Sequence, residues 1–291
     1  MPKYLKPVFL YCLALLALVS LSGCSDEHKQ GQDAAAREVE LVYVEWASEV
    51  ASTNVIRAVL EQQGYKVSLT PVSAAAMWQA VASGDADGMV AAWLPTTHAH
   101  YLNQVRDKVE DLGPNLKGTR IGLVVPDYVT IGSITDLNTN AARFQGRIIG
   151  IDPGAGLMSK TEKAIKAYGL DFKLIEGSDA TMVAALADAI DRHQWIVVTG
   201  WTPHWKFARW KLKYLDDPKN VFGDKGEIHT VVRLGLQQDM PKVYRILDRF
   251  HWRPEEMMAL MEKNRTRGAD PYENARQWVA SHPEEVRDWT S

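Results

Sequence analysis

The chain has 291 residues, and 33 Lys and Arg stand against 36 Asp and Glu, for a formal net charge of −3. The charges are interspersed without a basic block, which argues against a nucleic-acid-binding face. The two cysteines, Cys12 and Cys24, both fall at the N-terminal end, so no thiol remains further on for a disulfide, Cys-ligated zinc or thiol catalysis.

Lys3 and Lys6 form a short basic start, followed by an apolar run from Val8 to Leu21 that is too short to span a membrane comfortably. It ends in Leu21-Ser22-Gly23-Cys24, which resembles the lipobox of bacterial lipoproteins. Small residues before Cys24 admit a signal peptidase, and the thiol is the group that accepts the lipid. Residues 1–24 are therefore expected to be a lipoprotein signal and Cys24 its lipidation site. Residues 25–38, polar and free of aromatics, are expected to be a flexible tether. That places the folded part on the extracytoplasmic face of a membrane, held through the lipid, in an oxidising compartment.

Val39–Val44 reads as a strand, and a helical pattern follows from Ser52-Thr53-Asn54 through Ile56, Val59 and Leu60 to a stop at Gly64. Lys66–Val72 alternates as a strand, Ala74–Ala82 is helical, Gly88–Trp93 is strand-like, and Arg120–Val125 is a buried-type strand punctuated by Pro126. After Ile134 the pattern repeats in kind. Arg147–Ile151 is a strand, Ser159–Tyr168 a helix, Phe172–Ile175 a strand, Thr181–Ile190 a helix and Trp195–Thr199 a strand. Ile228–Val232 is a further strand, and helices follow around 241–250, 254–263 and 271–281, with a solvated charged helix face over 283–288. Alternating strands and helices predict an α/β fold. Two such units with a helical tail predict two lobes, lobe I from 39–126 with 229–291 and lobe II from 127–228, with the strands at RIGLVVP and EIHTVVR crossing between them.

Ten tryptophans, all from Trp46 onward, are more than a domain of this size needs for its core. Three strand ends finish on one: Trp46, Trp93 and Trp201. Ligands of open α/β sheets sit at the carboxyl ends of strands, and converging indole faces make a box for a cation without hydrogen-bond donors, such as a quaternary ammonium. Trp78, Trp252 and Trp289 are read as structural. The second constellation is the strand, glycine turn and helix start of Gly150-Ile151-Asp152-Pro153-Gly154-Ala155-Gly156-Leu157. Backbone N–H groups at such a helix start favour an anion. The same stretch nearly matches a dinucleotide fingerprint but lacks the third glycine, and nearly matches a P-loop but has Ser159 where that loop needs glycine. His98, five residues past Trp93, is placed to donate to an anion in the same crevice. His98 with His100 lacks a third partner for a metal, and His204 reads as structural. No cofactor or metal is expected.

From Val39 to Ser291 the chain resembles the substrate-binding proteins of glycine betaine ABC importers, the OpuA-type lipoproteins. The segments that carry the resemblance are WASEVASTNV, AAWLPTTHAHY, IGLVVPDYV, IIGIDPGAGLMSKTEKAI and VVTGWTPHW. The resemblance implies a two-lobed periplasmic-binding-protein fold of type II with the ligand cleft between lobes. It also implies a tryptophan prism around the trimethylammonium, made of Trp46, Trp93 and Trp201. The carboxylate would be held by the N–H groups of Gly156 and Leu157 and by His98. Leu157 stands where isoleucine is commoner, which a backbone contact tolerates.

The expected function is capture of glycine betaine or a related betaine for osmoprotectant uptake, with ABC permease subunits as partners, and not enzymatic turnover. A sensory module that binds quaternary amines, or an enzyme acting on them, are the alternatives.

Overall fold

A single 18-residue strand, β4 (Val109–Pro126), runs through the middle of the sheet and belongs to both of its halves. The computed structural model describes residues 38–291. The expected signal with Cys24, and residues 25–37 of the expected tether, lie outside the described residues; Glu38 already opens the first strand. No helix among the described residues is long and apolar enough to cross a membrane.

The chain proceeds as β1 (Glu38–Tyr43), α1 (Ala47–Gln62), β2 (Lys66–Pro71), α2 (Ala74–Ser83), β3 (Gly88–Leu94), α3 (Ala99–Val105) and β4. The second half holds β5 (Arg147–Ile149), α4 (Gly156–Tyr168), β6 (Lys173–Ile175), α5 (Asp179–Asp191), β7 (Val198–Thr202), the short α6 (Lys206–Arg209) and β8 (Leu212–Tyr214). Then come β9 (Gly226–Arg233), the short α7 (Leu236–Asp239), α8 (Pro241–Arg249), α9 (Pro254–Asn264), α10 (Pro271–Ser281) and α11 (Pro283–Thr290). The strand order is β2-β1-β3-β9-β4-β7-β5-β6, with β8 also on β4. β1 runs parallel to β3, and β5 runs parallel to both β6 and β7. β9 and β4 are antiparallel to their neighbours and tie the two parallel groups together.

All seven residues of β3 are buried, as expected of a central strand covered on both faces. The C-terminal helices start with proline at the first turn, where a missing N–H costs nothing. In α10 the Asp270 side chain also accepts the N–H groups of Tyr272 and Glu273. Phe250, Trp252, Trp278 and Trp289 pack as one aromatic cluster with ring centroids 5.1–5.9 Å apart.

Three elements depart from the sequence reading, each for a local reason. First, β4 begins at Val109 and not at Arg120. Its first half carries Gly113, Pro114, Asn115 and Gly118, poor strand formers, which three register shifts against β9 accommodate. Residues 120–126, read from sequence as part of lobe I, pair with β7 and β8. Second, α1 begins at Ala47. Ser52 and Asn54 look like a helix start, yet they lie inside the helix and bond back to the carbonyls of Ser48 and Val50 at 3.1 and 2.8 Å. Third, β7 covers Val198–Thr202 and so contains Trp201, because Gly200 does not end the strand. It sits opposite Gly122, and a Cβ on it would lie 2.3 Å from Cγ2 of Val124.

Gly200→Ala is therefore expected to destabilise the fold by roughly 1–3 kcal/mol through overpacking. Gly132→Ala, with no atom within 4 Å of the added Cβ, is expected to stay within about 0.5 kcal/mol of the native protein. Urea unfolding of both variants measures this, and equal stability of the two would refute the packing argument.

Candidate functional site

One cavity, about 290 Å³ with its open mouth included, is lined by Trp46, Trp93 and Trp201 together with His98, Gly156 and Leu157. All six residues singled out from the sequence, Cys24 apart, thus lie on one wall system. They come from five places in the chain. Trp46 is the residue before the first turn of α1, Trp93 is the penultimate residue of β3, and His98 precedes α3. Gly156 and Leu157 open α4, and Trp201 is the penultimate residue of β7. The three indoles are only 4–6% exposed and His98 only 1%. Thr97, Ala155, Ile121 and Ile151 complete the wall.

Each indole is fixed from behind. The Trp46 Nε1–H donates to Asp152 Oδ2 at 2.8 Å, and the Trp93 Nε1–H donates to Glu49 Oε1 at 2.6 Å. Lys206 Nζ lies 4.0 Å from the centroid of the Trp201 ring. Glu49 is buried, and burial pushes its carboxyl up to about 7, against hydrogen bonds from Ser48 and Trp93 that favour the ionised form. Burial likewise pulls Lys206 down to about 7, with Asp179 opposing. His204 donates from Nε2 to Asp179 at 3.0 Å while its Nδ1 accepts the Lys206 N–H at 3.1 Å. Burial, then Lys206, holds His204 down to about 4. For Asp179 burial acts upward, and His204, Lys206 and the Ala47 N–H together outweigh it. The structural role read for His204 is thus a bridge that fixes the loop after Trp201.

The same wall also carries candidate donors, at Gly156, Leu157 and His98. The first intrahelical bonds of α4 run from the Met158 and Ser159 N–H groups to the Ala155 carbonyl, at 2.9 and 3.3 Å. The N–H groups of Gly156 and Leu157 precede them and are those a helix leaves without an internal acceptor. Helix α4 begins three residues earlier than the sequence pattern suggests, which is what brings these two donors to the wall. His98 Nδ1 accepts the Trp93 backbone N–H at 3.2 Å, so the ring proton sits on Nε2. Burial, with a smaller push from His100, lowers His98 to about 3, which keeps it a neutral donor.

The glycine turn is pressed onto the segment after β3. A Cβ on Gly156 would lie 2.1 Å from the Thr97 carbonyl oxygen, so only glycine fits there. The Tyr101 hydroxyl donates to the Gly154 carbonyl at 2.6 Å, and the Ala47 N–H donates to Asp179 at 3.0 Å. These contacts, with Trp46–Asp152, join the β1–β3 half of the sheet to the β5–β7 half across the cavity. Sequence reading missed Glu49, Asp152, Thr97 and Tyr101. Glu49 alone carried a signal, as an acidic residue three positions after Trp46 on a face otherwise made of small and apolar residues. Trp78 lines no part of the cavity, but its ring meets the His98 ring edge-on at 6.1 Å. It is fully buried, as a structural residue would be. Trp252 and Trp289 stand away from the cavity wall. Among the described residues no group of three His, Cys, Asp or Glu is placed to hold a metal ion.

The chain is similar in sequence and fold to known transport binding proteins. The chain is 47% identical over 146 residues to the glycine betaine/carnitine transport binding protein GbuC of Listeria monocytogenes. That alignment covers 49% of this chain and 48% of GbuC, so it spans about half the length of that relative. The lactococcal OpuAC, solved in a closed-liganded conformation with glycine betaine, superposes with a TM-score of 0.84 at 44% identity, over 88% of this chain and all of that one (100%). The glycine/betaine/L-proline-binding protein ProX of Borrelia burgdorferi superposes with a TM-score of 0.85 at 40% identity, over 87% and 97% of the two chains. The α/β architecture is accordingly the two-lobed, type II periplasmic-binding-protein fold expected from sequence. Residues 37–281 match the family described as the substrate binding domain of the ABC-type glycine betaine transport system, and this chain belongs to that family.

Proposed function

We propose that this protein captures glycine betaine, or a betaine of the same design, outside the cytoplasm and presents it to the permease of an ABC importer. The observation that carries the reading is the make-up of one small cavity. Three indoles share its wall with the helix-start residues Gly156 and Leu157 and with a neutral imidazole. The trimethylammonium is assigned to Trp46, Trp93 and Trp201, and the carboxylate to Gly156, Leu157 and His98.

The magnitudes suit a solute that must be released again. Glycine betaine has eight heavy atoms, so a ceiling near −1.5 kcal/mol per atom allows at most about −12 kcal/mol. Ordering the ligand and closing the lobes leaves roughly −8 kcal/mol, a micromolar affinity. Cation–π contacts in a dry box escape most of the screening that weakens exposed ion pairs, which suits uptake from concentrated medium. Binding without turnover is favoured by the wall chemistry. Thr97 supplies its one hydroxyl side chain, and His98, held down to about 3, is a poor base. We place the boundary between lobes within β4 near Thr119 and at the start of β9 near Gly226, where β4 changes partner from β9 to β7.

Titration of tryptophan fluorescence tests both ends of the assignment at once. Trp46→Ala, Trp93→Ala or Trp201→Ala is expected to cost about 2 kcal/mol or more, roughly thirtyfold in affinity. Trp252→Phe and Trp289→Phe are expected to leave it unchanged. Choline has the same trimethylammonium but no carboxylate, and it is expected to bind the native protein about 10²-fold more weakly, since charge-assisted hydrogen bonds contribute roughly 1.5–3 kcal/mol each. His98→Ala is expected to weaken betaine and hardly change choline. Equal losses across both tryptophan sets, or choline binding as tightly as betaine, would overturn the assignment.

The lipid anchor belongs to the same proposal and rests on Leu21-Ser22-Gly23-Cys24. In cells fed labelled fatty acid, Cys24→Ala is expected to accumulate as unlabelled, uncleaved precursor. Normal processing and labelling of that variant would show that Cys24 carries no lipid.

A further inference from the structure

Lys206 is a buried lysine without a hydrogen-bonded counter-charge. It is 0% exposed, and its Nζ has no hydrogen-bond partner. The ammonium nitrogen stands over the Trp201 ring, 4.0 Å from its centroid, while Lys206 is absent from the cavity wall that Trp201 lines. Lys206 thus reaches the Trp201 ring from outside the cavity wall. His204 meets the same indole edge-on at 4.7 Å. The ionisable groups around Lys206 are Asp179 on α5 and His204 on its own loop. Asp179 spends its oxygens on the Ala47 N–H and on His204 Nε2, and makes no hydrogen bond to Nζ. An unpaired lysine among the most buried side chains of a protein is rare and costly, and this one is aimed at a ring that the proposed function gives to a cation.

We propose that Lys206 sets the affinity of the tryptophan box through Trp201: its ammonium and the ligand's trimethylammonium compete across one indole, so that capture of the cation expels the Lys206 proton. This inference rests on the reading of the box as the cation site. An indole between two positive charges gains less from each than from one alone. With both nitrogens within reach of the ring, the charges sit roughly 8 Å apart. At the effective dielectric of a protein interior, repulsion over that distance weakens binding by about tenfold or more. Coupling between two sites is reciprocal, so a ligand that is weakened by the proton must also weaken the proton's hold.

The direction with pH follows. Lys206 is held down to about 7 by burial, so it is charged below neutrality and uncharged above. Glu49, behind Trp93, is pushed up to about 7 and acts in the same sense, since protonating it removes a negative charge from the box. His204, lowered to about 4, His98, lowered to about 3, and Asp179, held low, do not titrate in that window. Betaine affinity is expected to fall as pH drops from 8 to 6.

Isothermal titration of the full chain with glycine betaine, between pH 6 and pH 8 and in buffers of differing ionisation enthalpy, tests the coupling. The native protein is expected to lose about tenfold in affinity towards pH 6 and to release protons on binding near pH 7. Lys206→Met is expected to lose less affinity than the native protein between pH 8 and pH 6, with a shallower slope and less proton release. In Glu49→Gln, whose side-chain oxygen still accepts the Trp93 N–H, the remaining release reports Lys206 without any change at Lys206 itself. A pH slope unchanged in Lys206→Met, or no proton release by Glu49→Gln, overturns the coupling while leaving the betaine site intact. Failure of the native protein to bind betaine at any pH overturns the reading of the box, and the coupling with it.

Discussion

A trimethylammonium group carries a full charge and no hydrogen to donate, so a protein can hold it only with electron-rich faces in a space that water has left. In the proposed function that constraint explains the arrangement at the heart of this protein. Trp46, Trp93 and Trp201 are each almost wholly buried, yet each turns part of its ring to one cavity. Rings that must not move need anchors, and an indole offers one polar handle, its N–H. Asp152 takes that handle on Trp46 and Glu49 takes it on Trp93. Both anchors are carboxyl groups, bonded to the rings that the proposed function gives to a cation.

In the proposed function the same contacts make capture and closure one event. Trp46 belongs to the half of the sheet built on β1 and β3, and its partner Asp152 follows β5 in the other half. Tyr101–Gly154, Ala47–Asp179 and the seat of Gly156 against Thr97 cross the same boundary. In the proposed function the cation end and the carboxylate end are thus completed only when the two lobes meet. A ligand lacking either end leaves donors or ring faces buried without a partner, and the cost of that mismatch is the physical source of selectivity.

Much of this could be read in the sequence, and the limits of that reading have a common cause. Trp93 and Trp201 stood out because each sits at the end of an apolar β-type run, and Gly154-Ala155-Gly156 because glycines between a strand and a helix allow close approach. These are local patterns. The start of α1 was obscured by Ser52 and Asn54, whose polarity is satisfied inside the helix. The first half of β4 was obscured by residues that only bulges against β9 can accommodate. Asp152 was silent, and Glu49 gave only a faint local signal, because their partners lie 106 and 44 residues away. Lys206 was silent for the same reason: a lysine in sequence is a surface residue until the fold places a ring over it.

The central claim is that charge, and not shape, holds the ligand in the tryptophan box. It is tested most directly by comparing glycine betaine with its tert-butyl analogue, in which carbon replaces the ammonium nitrogen and the shape and carboxylate are kept. Calorimetric titration of the native protein with both ligands is the measurement. The account predicts that the neutral analogue binds at least about 10²-fold more weakly, since each indole face contributes up to about 2 kcal/mol to a desolvated cation. Equal affinity for the two would contradict it, and would mean that the indoles serve only as an apolar wall.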